Sequence, residues 1–130
     1  MKLVSALLFL PILSAAQSAG PDMLTDQKWY HSFKVEGGKP LATVQKSLYS
    51  RPWIYFGKEG FFEDFRSPKE HYRGSWEWNG SLRSIKVSLG TKAKSTVINY
   101  EVFRLNTDTL LLQATGPNKT AVGFLSGRQR

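Results

Sequence analysis

The sequence of 130 residues contains no cysteine, which excludes a disulfide, a thiolate nucleophile and any cysteine-containing metal site. Histidine is scarce, with His31 and His71 the only two, too few for a histidine-rich metal centre. No Gly-x-Ser-x-Gly, His-Glu-x-x-His or phosphate-cradling glycine loop occurs. Glu63 and Asp64 are adjacent, so on a strand they point to opposite faces and form no working acid–base pair. The chain is therefore expected to be no enzyme, to hold no metal and to need no cofactor. The apolar run at residues 3–13 falls short of the roughly 20 residues that span a bilayer as a helix. Runs of like charge are missing too. The formal charge of +8 comes from 18 Lys and Arg against 10 Asp and Glu, scattered singly. That scatter argues against a nucleic-acid-binding arm and points instead to solubility or attraction to anionic ligands. Internal repeats and low-complexity tracts are absent.

What is present begins with a basic start, Met1-Lys2, then the apolar run, then the small residues Ser14-Ala15-Ala16-Gln17-Ser18-Ala19. This order is that of a secretory signal peptide. It assigns residues 1–19 to the signal, with cleavage expected after Ala16, Ser18 or Ala19. Residues 20–130 are then the mature domain, secreted or periplasmic, with no membrane span left after cleavage. Small exported domains often lean on disulfides because their cores are small. This one has to rely on apolar burial, and its 8 Phe, 4 Trp and 5 Tyr supply side chains that each bury ~150–250 Å².

The clearest pattern is Tyr72-Arg73-Gly74-Ser75-Trp76-Glu77-Trp78-Asn79. Residues two apart on a strand share a face, so Tyr72, Gly74, Trp76 and Trp78 face a core while Arg73, Ser75, Glu77 and Asn79 face solvent. Asn79-Gly80 predicts a type I′ turn, after which Ile85, Val87 and Leu89 alternate with Lys86 and Ser88. Gly74 admits two readings, a large ring lying across the backbone or a bulge in the strand. Upstream, a short helical turn is expected near residues 24–27, and Trp29, His31, Phe33 and Val35 form the inward face of a first strand. Residues 41–51 read as a loop with one helical turn, stopped by Pro52. Further strands follow at 53–56, 61–66, 96–105, 110–113 and 121–125. Eight strands joined by short turns imply antiparallel neighbours in chain order. Closure into an up-and-down barrel removes the exposed edges, and a sandwich is the competitor. The fold class is thus all-β, an eight-stranded antiparallel up-and-down barrel.

Leu24-Thr25-Asp26-Gln27-Lys28-Trp29, Phe56-Gly57-Lys58-Glu59-Gly60-Phe61-Phe62, Gly74-Ser75-Trp76 and Asn99-Tyr100-Glu101-Val102 with Leu110-Leu111-Leu112 give the chain a likeness to a known group. Over residues 24–128 it resembles the bacterial lipocalin-like domains of the calycin group, although Gln27 stands where lipocalins carry the glycine of Gly-x-Trp. The resemblance implies a ligand-binding barrel, closed at the end where the first strand begins, with residues 41–51 across the open end. It also implies an arginine packed over Trp29, a role open to Arg128 or Arg104.

Inward aromatics then become candidates for a cavity wall. Trp29, His31, Tyr55, Tyr72 and Trp76 are the expected ligand-binding residues. Two readings of the aromatic set, which also includes Phe33, Phe61, Phe65 and Trp78, stay open: they line a cavity or they fill the barrel. His31 is either a polar anchor for ligand or a core histidine satisfied by neighbours. The expected partner is a small apolar or amphipathic ligand. The alternative is a protein-binding or inhibitory module with a solid interior, which contiguous apolar residues on the outer face would favour. A structural envelope protein is a third possibility.

Overall fold

The structure is a computed structural model that describes residues 21–36, 39–42, 47–90, 95–115 and 120–128. The expected signal peptide lies outside the described residues. Nine strands follow one another: β1 (Lys28–Glu36), β2 (Lys39–Ala42), β3 (Trp53–Phe56), β4 (Phe61–Ser67), β5 (Glu70–Asn79), β6 (Ser84–Gly90), β7 (Ser95–Leu105), β8 (Thr109–Ala114) and β9 (Ala121–Ser126). Every pairing is antiparallel, and each strand from β3 to β8 pairs with its successor. β9 then returns to β1, from Trp29 opposite Ser126 to Val35 opposite Ala121. The result is an eight-stranded, closed, up-and-down antiparallel barrel, as the short turns predict.

The ninth strand is β2, in a stretch that the sequence places in a turn and loop. It pairs with the last four residues of β1, while β3 pairs with the first three. β2 and β3 therefore share one edge of β1, like a single strand interrupted in the middle. Pro40 is tolerated because β2 has no second neighbour to which it must donate. Between them, Leu48–Ser50 form a 3₁₀ turn, the helical turn expected there. It does not cross the mouth of the barrel. The Tyr49 ring packs edge-on against Tyr30, at 5.4 Å, and Arg51 donates to the Ser32 hydroxyl. Tyr30 faces outward, paired with Trp53 and Leu125, so residues 47–51 lie on the outer wall. Residues 43–46 lie outside the described residues.

Alternation holds where it was sharpest. Trp76, Ile85 and Val87 are buried, and Glu77 and Lys86 are exposed. The turn between them is longer than a type I′ turn: Gly80–Arg83 form a four-residue loop, and the positive φ falls on Arg83 (48°). The Asn79 side chain accepts hydrogen bonds from the Ser81 hydroxyl and the Leu82 N–H, an Asx-type closure that does the turn's work without a left-handed Asn-Gly pair. Gly74 fits neither expected reading. A Cβ there would collide with the Ser88 carbonyl oxygen, so the neighbour is backbone and not a ring, and the β5–β6 register runs through it without a shift.

Parity fails in two places. In β1 the register shifts between His31 and Phe33, a bulge at Ser32 that turns Phe33 outward over Gly123 and Lys34 inward. In β3 and β4 the inward residues are Ile54, Phe56, Phe62 and Asp64. Phe61, Phe65 and Tyr55 instead share the outer face with Trp53, as their pairing with Ser75, His71 and Lys28 requires.

The barrel is filled at the end where β1 begins. Leu24, Trp29, Phe56, Phe62, Trp76, Ile85, Val87, Val102, Leu110 and Leu112 form one buried cluster. Both buried indoles are satisfied. Trp29 Nε1 donates to the Leu24 carbonyl at 2.9 Å, and Trp76 Nε1 donates to the Gly57 carbonyl at 2.7 Å. Phe56 meets Phe62 and Trp76 at 5.1 and 5.3 Å in tilted and edge-on contacts, geometries that aromatic pairs prefer. Arg128 reaches the Thr25 carbonyl at this closed end, whereas Arg104 is exposed on β7.

Candidate functional site: a polar-based cavity at the open end

Opposite the packed end, the barrel encloses a cavity of about 640 Å³. Ile54, Leu112, Val122 and Phe124 supply an apolar wall from β3, β8 and β9. β1 contributes His31 and, beyond the bulge, Lys34 and Glu36; β4 contributes Asp64 and Arg66; β7 contributes Tyr100. Thus one interior holds both outcomes weighed for the aromatics, filled in one half and open in the other.

Asp64 dominates the polar part. Its side chain is 9% exposed against 52% for Arg66, so the pair runs from the interior out to the rim. Arg66 Nε and Nη2 both donate to Oδ2, at 3.3 and 3.1 Å. Oδ1 is buried and has no hydrogen-bond partner among the described residues. Such an unmade bond is costly, about 1–3 kcal/mol, and each one in a native structure calls for a physical reason. The hydrogen bonds that Arg66 donates to Asp64 raise its pKa further, against a smaller opposing effect of burial.

His31 packs its ring against Phe124, centroids 4.6 Å apart. Burial pushes its pKa down; the Asp64 charge pulls it back up, while Arg66 and Lys34 push the same way as burial. Burial, then the Asp64 charge, raises Tyr100. At neutral pH the imidazole is therefore uncharged and the phenol protonated. The charges of the lining, Lys34 and Arg66 against Glu36 and Asp64, balance. The chemistry on offer is hydrogen bonding beside an apolar wall. Among the described residues, no three His, Asp or Glu side chains converge to hold a metal.

Of the five residues expected to bind ligand, His31 lines this cavity. Trp29 and Trp76 lie in the packed end. Tyr55 is on the outer wall, hydrogen-bonded to Asp26 Oδ1 at 3.3 Å. Tyr72 shares the face of Asp64, its pairing partner, but is 41% exposed at the rim, with the Arg66 guanidinium 5.3 Å from its ring centre. Asp64, Arg66 and Tyr100 were missed by sequence reasoning. The available signal was the spacing of two between Asp64 and Arg66, which puts both on one strand face.

A second concavity, about 610 Å³, lies beside Trp78 at the β5–β6 turn, lined by Glu77, Asn79, Ser81, Lys86 and Asn99 among others; it is open to solvent. The outer wall carries a further cluster. Trp53 stacks on Phe65 at 5.3 Å, with Lys28 Nζ 4.3 Å from its ring centre. His71 sits edge-on to both rings and bonds Glu63 at 2.6 Å.

No protein-family model matches the chain, and no curated protein matches it at a significant level. The closed eight-stranded antiparallel barrel is consistent with a calycin-like fold.

Proposed function

We propose that the protein is an exported, non-enzymatic, lipocalin-like barrel that binds a small apolar or amphipathic ligand in the cavity at its open end. One observation carries this reading: a cavity of about 640 Å³ joins an apolar wall to a buried carboxylate oxygen with no partner among the described residues. An apolar wall with a few converging polar groups is the usual make-up of a small-molecule site. Export rests on the basic start, apolar run and small residues of positions 1–19.

Native mass spectrometry of the protein purified from its own host should show a retained small molecule. A neutral apolar fluorophore should bind and lose at least about tenfold in affinity on His31→Ala, or roughly 1.4 kcal/mol. Saturating fluorophore that changes neither its own emission nor the melting temperature would sink the proposal. The protein-binding reading would then move ahead, and the outer strip of Tyr30, Tyr49, Trp53 and Phe65 favours it.

A further inference from the structure

We infer that the cavity selects a neutral, hydroxyl-bearing head group on an apolar chain and discriminates against amphiphiles with a carboxylate head. This rests on the ligand-binding reading and specifies the head group for the same site.

Asp64 sets the preference. Its side chain is nine-tenths buried, both donors from Arg66 go to Oδ2, and Oδ1 is left without a partner among the described residues. An ionised carboxylate oxygen only accepts hydrogen bonds. A ligand O–H brought to Oδ1 therefore gains a charge-assisted bond where none is made now. A ligand carboxylate brought there has no proton to offer and adds a second negative charge beside the first, in surroundings that screen poorly.

The neighbours narrow the choice further. His31 and Tyr100 line the same cavity, and among the described residues neither ring nitrogens nor phenol make a hydrogen bond. The neutral imidazole and the protonated phenol can each donate to a ligand oxygen. A hydroxyl both donates and accepts, so it can serve Oδ1 and one of these donors together. An ammonium only donates, so at Oδ1 it leaves the His31 and Tyr100 donors without an acceptor. Arg66 is a poor anchor for an acid, because Nε and Nη2 are committed to Asp64 and its guanidinium carbon sits 5.3 Å from the Tyr72 ring centre. Leu112, Val122 and Phe124 remain for the apolar chain.

The test is displacement of a neutral naphthylamine fluorophore from the mature protein by decanol, decanoate and decylammonium at neutral pH. These probes share one chain and differ only in head group. Decanol is expected to bind at least about tenfold tighter than either ion. Asp64→Asn keeps the shape, removes the charge and releases Arg66, so it should raise decanoate affinity about tenfold and close most of the gap. Equal affinities, or decanoate or decylammonium binding tightest, would overturn the inference while leaving the cavity a ligand site. Should neither the fluorophore nor any of the three bind, the ligand-binding reading itself falls. If Asp64→Asn does not fold, the ranking on the native protein still decides.

Discussion

Truncating Trp76 to alanine is the most direct test of how the barrel is held together. The side chain is 5% exposed, stands edge-on to Phe56 at 5.3 Å and donates to the Gly57 carbonyl at 2.7 Å. Loss of a large buried aromatic costs about 3–5 kcal/mol, a large fraction of the ~5–15 kcal/mol that separates folded from unfolded domains. The hydrogen bond supplies only about 1 kcal/mol of this. The Gly57 carbonyl also accepts from the Gly60 N–H, at 3.1 Å, so it is not orphaned when the indole goes. Trp76→Phe should therefore cost only ~1–2 kcal/mol, one hydrogen bond plus a small void. Glu77 is the neighbour on the outer face, opposite Lys86, and Glu77→Ala should stay within ~0.5 kcal/mol. Equilibrium urea melts read by far-ultraviolet circular dichroism, with a common slope, give all three values. Equal shifts for Trp76→Ala and Glu77→Ala would refute the inside–outside assignment of β5. A Trp76→Phe loss as large as that of Trp76→Ala would show that the hydrogen bond, and not packing, dominates.

Gly74→Ala should destabilise by ~1–3 kcal/mol, because the new Cβ meets the Ser88 carbonyl, which is backbone and cannot swing aside. A melt showing the ~0.4–1 kcal/mol gain that Gly→Ala brings where there is room would contradict this. Acid should act through His31. His31 is buried with a lowered pKa, so the unfolded chain takes up a proton near the ordinary value of about 6.5 while the folded one resists. The stability that neutral His31 allows is thus present above that value and is lost as pH falls toward the lower folded value. His31→Gln should flatten the decline in urea midpoint between about pH 7 and pH 5; an unchanged slope would show that His31 is not the group responsible.

The barrel order was legible because each turn is short and because β5 and β6 alternate without interruption. Register on a strand is fixed only by such contrast, since a slip of one residue exchanges the faces. Trp53-Ile54-Tyr55-Phe56 has no polar residue to set its phase, and Phe61-Phe62-Glu63-Asp64 offers two apolar residues followed by two acids. Either phase fits the composition. Tertiary pairing decides it, placing Phe56 and Phe62 inside. Asp64 was hidden for a second reason. Polarity assigns a carboxylate to the solvent face, whereas Arg66 on the same face pairs with the inward Asp64. β2 was missed because it is four residues long, contains a proline and has no alternation. The packed end was legible in kind, through the abundance of aromatics, but not in place.

The bulge at Ser32 links the faces of β1 to the site. Without it, β1 would continue the phase of Trp29 and His31, pointing Phe33 and Val35 into the barrel and Lys34 and Glu36 into solvent. The interior would then be apolar along its whole length, and a packed barrel would be the natural outcome. The extra residue exchanges the two sets at one step. Phe33 moves out against Gly123, where any side chain would meet its ring, and Lys34 and Glu36 move in to line the cavity. There Glu36 accepts a long hydrogen bond from the Thr120 hydroxyl, 3.4 Å away. Charged side chains fill a barrel badly, since each keeps its head in water where it can. The upper half therefore cannot close into a core as the lower half does. Polarity at the open end is the reason a cavity exists at all, and Asp64 below it is positioned to meet whatever enters.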